Sequence, residues 1–378
     1  KKSPKKIKPT MILIFTSWLF LIFVGYVKAE GIFTQAHGAL SVGVVGDTGI
    51  GERAYHPGFI AVAKALKNKN LDLLLHLGDF VYQPEIFPKD CPERYIREIE
   101  KNLADPFPFK LFVPGDNDLP PNAENPRGSG CWEKIDQLDS DFDHYPELKY
   151  KPRLYEGTKI LNNTFFALLN TYPWKDPTTW LAPRIEKARE KGLWIIIALH
   201  EPAITTAWYL EKRHTVLKLL NSLKPDLVLS GNQHSYERFH QIGIPEQDES
   251  LPFVTSKEGN YLRGNGAIHV VAGGGGANFK PFADQQGFKK RTAPKDVFDA
   301  LAKRALMNHF LTLKIEQEVL KATTYMVCPK VDMKKPKNPR WKANKSMWDT
   351  ISLECEGKEP GVTIFDQFQI RAKSKEGL

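Results

Sequence analysis

Residues Leu227–Phe239 read LVLSGNQHSYERF. Leu227, Val228 and Leu229 form an apolar run too short for a helix, Ser230-Gly231 turns the chain, and His234 follows where a strand end opens into a cleft. Alone the stretch decides little. Its weight comes from four earlier stretches of the same build. Leu40–Val45 runs into GDTG with Asp47, and Leu71–Leu77 into GDFVY with Asp79 and Tyr82. Pro108–Val113 runs into PGDND with Asp116, Asn117 and Asp118, and Leu193–Leu199 into HEP with His200.

The segments between these runs carry helical spacing. Pro57–Asn68 places Phe59, Val62, Ala63 and Leu66 on one face. A charged helix starts at Pro-Thr-Thr-Trp and reaches about Lys191, and Thr215–Leu223 is a third. Runs that are continuously apolar predict strands covered on both faces, hence an α/β fold. Beyond the opening stretch the texture changes. Ala267–Ala272 is a strand closed by Gly273–Gly276, Phe310–Ile315 and Ala322–Val327 form a hairpin, and Gly361–Ile370 alternates as a last strand. No repeat or clear linker interrupts this, so residues 39–378 read as one catalytic domain.

Loops at the carboxyl ends of strands surround the ligand crevice of α/β folds. Carboxylates and amides there suit hard cations, and imidazole suits transition metals. Each cluster also has a plain structural reading. A Gly-Asp pair after a strand is commonly a turn whose Asp accepts backbone N–H groups. His200 can be a satisfied core histidine and Tyr82 a rim aromatic, and His76 reads as structural. The order of all five clusters is what favours a site.

That ordered series, GDTG, LGDFVY, GDND, LHEP and GNQHSYERF, resembles the calcineurin-like metallophosphoesterases and, within them, the purple acid phosphatases. Tyr82, three residues after Asp79, points to that branch, and the resemblance spans about Ser41–Asn278 with an echo in FDQFQI. It implies a four-layer α-β-β-α sandwich with two mixed sheets and two metal ions between them. By position Asp47, Tyr82 and His234 would hold the first, Asp79 would bridge, and Asp116, His200 and Asn232 would hold the second. The implied activity is hydrolysis of small phosphate esters by a metal-activated water. Three residues depart from the pattern. Asp116 stands where the family has Asn, Asn117 where it has the His that serves the leaving group, and Asn232 where it has His. Such a set suits Fe at the first site, and Fe, Mn or Mg rather than Zn at the second. The alternative is a non-catalytic member that binds a phosphorylated ligand or a protein partner.

Composition narrows the remaining classes. The 378 residues carry a formal charge of +9, but Lys1, Lys2, Lys5, Lys6, Lys8 and Lys28 supply six of it, leaving +3 for the rest. Net charge therefore gives a nucleic-acid partner no support. Those lysines flank Met11–Val27, a mostly apolar run before Val27-Lys28-Ala29, which reads as a signal peptide ending at residue 29 and an exported, secreted or periplasmic product. Left uncleaved, it would be a membrane anchor. Export makes disulfides of the four cysteines; the expected pairs, each closing a nearby loop, are Cys91 with Cys131 and Cys328 with Cys355. Asn162 and Asn344 fit the glycan acceptor pattern. Pro329–Ser346 is a basic run that reads as a solvated loop. Neither a G-x-S-x-G elbow nor a P-loop occurs.

Overall fold

The computed structural model describes residues 38–51, 56–82, 91–121, 128–138, 143–144, 155–244, 252–257, 259–279, 282–285, 287–330, 355 and 357–373. The expected signal peptide, the Asn344 acceptor and all but the first two residues of Pro329–Ser346 lie outside them. The strands are β1 (Leu40–Val45), β2 (Leu73–His76), β3 (Phe109–Phe112), β4 (Asp143–His144), β5 (Gly157–Leu161), β6 (Thr164–Leu169), β7 (Trp194–Leu199), β8 (Leu227–Ser230) and β9 (Tyr236–Phe239). They continue with β10 (Gln241–Gly243), β11 (Phe253–Ser256), β12 (Asn260–Leu262), β13 (Ile268–Ala272), β14 (Leu301–Ala305), β15 (His309–Ile315), β16 (Val319–Cys328) and β17 (Gly361–Arg371). The main helices are α1 (His56–Lys67), α2 (Glu93–Ile99), α3 (Trp132–Ile135), α4 (Thr178–Glu190), α5 (Arg213–Ser222) and α6 (Lys295–Asp299).

Among the described residues one sheet runs β12-β17-β16-β15-β1-β2-β3, and a second runs β14-β9-β13-β8-β7-β6-β5-β4. Both are mixed. β1, β2 and β3 are parallel, as are β6, β7, β8 and β13; the strands next to these blocks pair antiparallel to them, and β12 pairs β17 in parallel at the edge. The period of two along each strand sorts the side chains into layers. Val42 and Val44, Leu73 and Leu75, Trp194, Ile196 and Ala198 point into the core between the sheets. Val45, Leu74 and Phe112 face outward and take Phe59, Val62 and Leu66 of α1. Ile195, Ile197 and Leu199 face the other way, onto Leu181 and Ile185 of α4 and Leu217 and Leu220 of α5. This is the α-β-β-α sandwich, and it explains why the strand sequences do not alternate: both faces are dry.

The SYERF ending, which sequence reading leaves as a motif tail, is strand β9. Its alternation is inverted in chemistry rather than in geometry. Tyr236 and Arg238 point toward the first sheet, where Tyr236 Oη (2.8 Å) and Arg238 Nε (2.6 Å) donate to Asp366 of β17, and Arg238 Nη1 donates to Tyr261 Oη at 2.9 Å. Glu237 points to the other face, fully buried, and accepts from the Thr206 backbone N–H at 3.0 Å and from the hydroxyls of Thr205 and Thr206. One charged pair thus staples the two sheets together. Removing one partner of a buried pair leaves the other uncompensated, which costs about 3–5 kcal/mol. Asp366→Ala is therefore expected to lose that much in urea unfolding; a loss below about 1 kcal/mol would show that the staple carries no stability.

Both expected cysteine pairs form. Cys91 bonds Cys131 across 40 residues and Cys328 bonds Cys355 across 27. Among the described residues no helix is long and apolar enough to cross a membrane.

Candidate metal centre

β1, β2 and β3 end side by side in one sheet, and β7 and β8 end side by side in the other. Each releases a polar residue within a few positions of its last strand residue, and these meet. Asp47, Asp79 and Asn232 all sit in the left-handed region, with φ of 57°, 57° and 63°. Asp and Asn tolerate that region better than most side chains, which is why these residue types can sit at the turns. Backbone bonds lock the first two together: Asp47 N–H donates to Gly78 O and Thr48 N–H to Asp79 O, each at 2.9 Å. Gly78 has φ of 87°, and a Cβ there would lie 2.6 Å from His200 Nδ1. Only glycine lets β2 approach the histidine of the other sheet so closely.

Two groups of donors result, sharing one residue. Asp47, Asp79 and His234 present ligand atoms within 4.8 Å of one another, and so do Asp79, Asp116 and His200. In the first group the Tyr82 hydroxyl lies 3.0 Å from Asp47 Oδ1, 3.1 Å from Asp79 Oδ2 and 3.1 Å from His234 Nε2. In the second, His200 Nε2 lies 3.4 Å from Asp79 Oδ2 and 3.3 Å from Asp116 Oδ1. Each imidazole is aimed by its far nitrogen. His200 Nδ1 lies 2.6 Å from Leu77 O, and His234 Nδ1 contacts Asn278 O. A carbonyl can only accept, so both Nδ1 atoms carry a proton and both Nε2 atoms are turned inward, where a bound cation would take the place of any proton they hold.

The electrostatics agree. Burial pulls the His200 imidazole down, yet the carboxylates of Asp79, Asp116 and Asp47 outweigh it and hold it well above its ordinary value. Burial raises the Tyr82 phenol, and Asp47, Asp79 and Asp116 raise it further. Three carboxylates and two inward-facing Nε2 atoms in a largely buried pocket make a place for positive charge. The donor chemistry fits cations, and Asp79 belongs to both donor groups.

Three other residues have distinct roles. Asn117 donates its backbone N–H to Asp79 Oδ1 at 2.9 Å and its Nδ2–H to Oδ2 at 2.7 Å, so it orients the shared carboxylate. Asn232 donates its backbone N–H to Asp47 Oδ2 at 2.8 Å and its Nδ2–H to Tyr172 Oη at 2.7 Å. Asp118, fully buried, accepts from the N–H groups of Asp79 and Phe80 (both 2.8 Å), Gly115 (3.1 Å) and Val81 (3.2 Å). It is the turn-capping aspartate that sequence reading allowed for any of the clusters. His76 is structural as expected, stacked on Phe80 at 3.5 Å and 3.2 Å from the Thr48 hydroxyl. Tyr172 lies in no motif and escaped sequence reading. Its phenol is pushed well up by burial, then by Asp116 and Glu201.

Comparison with known proteins places the chain in a family. Residues 40–236, about half the chain, match the model of the calcineurin-like phosphoesterases, and the chain belongs to that family. It is 31% identical over 238 residues to the Arabidopsis thaliana protein named Probable inactive purple acid phosphatase 1, covering 58% of this chain and 36% of that one. An uncharacterized protein of Mycobacterium tuberculosis is 31% identical over 108 residues, which is 26% of this chain and 20% of that protein. The chain thus spans about a fifth to a third of these relatives. In fold it is similar to a purple acid phosphatase from yellow lupin (Lupinus luteus) seeds, with a TM-score of 0.59 at 16% identity over 89% of this chain and 54% of that one.

Proposed function

We propose that this protein is an exported, metal-dependent phosphomonoester hydrolase with a rebuilt second metal site. The observation that carries the reading is the pair of donor groups sharing Asp79. Asp47, Tyr82 and His234 would hold the first cation, Asp116, His200 and Asn232 the second, and Asp79 both. Bound there, the cations supply the family chemistry of polarising phosphoryl oxygens and lowering the pKa of a water. The chain's own contribution is positioning. Leu77 O and Asn278 O keep the imidazoles turned, Asn117 keeps the shared carboxylate turned, and Asp118 holds the Asp79 backbone in place. Two disulfides are compatible with export.

Metal analysis of the purified chain, with turnover of nitrophenyl phosphate before and after chelation, tests the proposal. Activity should vanish on chelation and return with Fe or Mn. Iron-loaded protein should be coloured by the Tyr82 phenolate, and Tyr82→Phe should lose that band; colourless iron-loaded wild type would remove Tyr82 from the ligands.

A second reading is favoured by one observation. The Arabidopsis relative is named inactive, and this chain has changed residues at positions 116, 117 and 232. In that reading the chain binds a phosphorylated ligand or a protein without turnover. Bound metal with no turnover above background would select it, and no bound metal would defeat the hydrolase reading.

A further inference from the structure

We infer that the Tyr172 hydroxyl is a phosphate-binding group, donating a hydrogen bond to a non-bridging oxygen of the substrate's phosphoryl group on the His200–Asp116 side of the site. The inference rests on the phosphoesterase reading above.

Position comes first. Tyr172 lies three residues beyond β6, whose parallel neighbour β7 delivers His200, and its ring centroid is 6.0 Å from that of His200. The residue is held on both sides of its backbone. Its N–H donates to Asn170 Oδ1 at 2.9 Å, and Asn170 Nδ2 donates to its carbonyl at 3.2 Å. Thr171 Oγ1 accepts from Glu201 N–H at 3.2 Å, which ties this turn to the residue after His200. A half-buried ring so fixed is reachable yet not free to swing away.

Direction follows from hydrogen-bond chemistry. The Asn232 amide nitrogen has only protons to give, and it gives one to Tyr172 Oη at 2.7 Å. Gln233 Nε2 donates to Asn232 Oδ1 at 3.4 Å, on the other arm of the same amide. Tyr172 Oη therefore acts as acceptor toward Asn232, and its own proton must point elsewhere. Among the described residues no acceptor takes it. A pocket lined by Asp47, Asp79 and Asp116 repels a phosphate, so a neutral donor at its edge serves a phosphoryl oxygen without adding to that repulsion.

The experiment uses the full chain loaded with Mn²⁺ and titrates inorganic phosphate calorimetrically into wild type and Tyr172→Phe. Mn²⁺ stoichiometry and affinity are measured first, and melting temperature reports the fold. We expect two Mn²⁺ in both proteins, with phosphate bound about 10- to 100-fold more weakly by the variant, as for a lost hydrogen bond to a charged group. In turnover the loss should fall on KM for nitrophenyl phosphate, with kcat little changed. Equal phosphate affinity at equal Mn²⁺ content would overturn the inference while leaving the enzyme reading intact. Reduced Mn²⁺ affinity in the variant would also overturn it, making Tyr172 a support for Asn232 alone. Wild type that takes up no Mn²⁺ would instead sink the metal reading and this inference together.

Discussion

Asp79→Asn should cost this protein both cations and at least about 10³-fold in turnover of nitrophenyl phosphate. The shared carboxylate belongs to both donor groups, so one charge removed weakens two sites together, whereas loss of His234 or His200 weakens one. Metal-based charge stabilisation is worth several kcal/mol of barrier, and each 1.36 kcal/mol is about tenfold in rate. The amide keeps the shape of the carboxylate, and its oxygen can still accept the Asn117 N–H. Circular dichroism should therefore stay native. Asp118→Asn makes the contrast. That side chain serves four backbone N–H groups, so its loss should appear as a lowered melting temperature rather than as a direct loss of ligand. Retention of two metals by Asp79→Asn would remove Asp79 from the bridging role.

Asn117→His should raise turnover of alkyl phosphates by about 10²–10⁴-fold while changing aryl turnover little. An amide has no proton to give at working pH, and here its Nδ2–H is already committed to Asp79 Oδ2. A positioned general acid is typically worth that factor, or roughly 3–5 kcal/mol of barrier. Alkoxides leave poorly and need the proton; nitrophenolates leave unaided. Wild-type rates should accordingly fall steeply with leaving-group pKa. Equal wild-type hydrolysis of both ester classes, with chemistry rate-limiting, would show that another residue supplies the proton and that position 117 does not have this role.

That these residues meet could be read from one chain because each proposed ligand stands just after an apolar strand, and strand ends are what periodicity finds. The expected Leu40–Val45 matches β1 residue for residue, Leu193–Leu199 begins one residue before β7, and Pro57–Asn68 is displaced by one residue from α1. The failures share a cause. β9 was missed as a strand because Glu237 and Arg238 are both buried, and pattern reading sends charges to solvent unless their partners are known. Those partners lie more than thirty residues away for Glu237 and more than a hundred for Arg238. Tyr172 was invisible for the same reason: nothing local marks a tyrosine that the sheet carries to Asn232, sixty residues on. Asp116 and Asp118 stand two apart in one motif, and only their opposite directions separate ligand from cap.

The Cys91–Cys131 bond encloses β3 and the whole Asp116–Asp118 turn. On its far side Ser129 N–H donates to Asn117 O at 2.7 Å and Trp132 N–H to Asp118 O at 2.9 Å, so the cystine is fastened directly to the loop that carries Asp116 of the second donor group. Asp47, Asp79, Tyr82 and His234 all lie outside the enclosed segment. Asp116, Asn117 and Asp118 therefore lean on a bond that exists only where thiols are oxidised, and through Asn117 and Asp118 so does the shared Asp79.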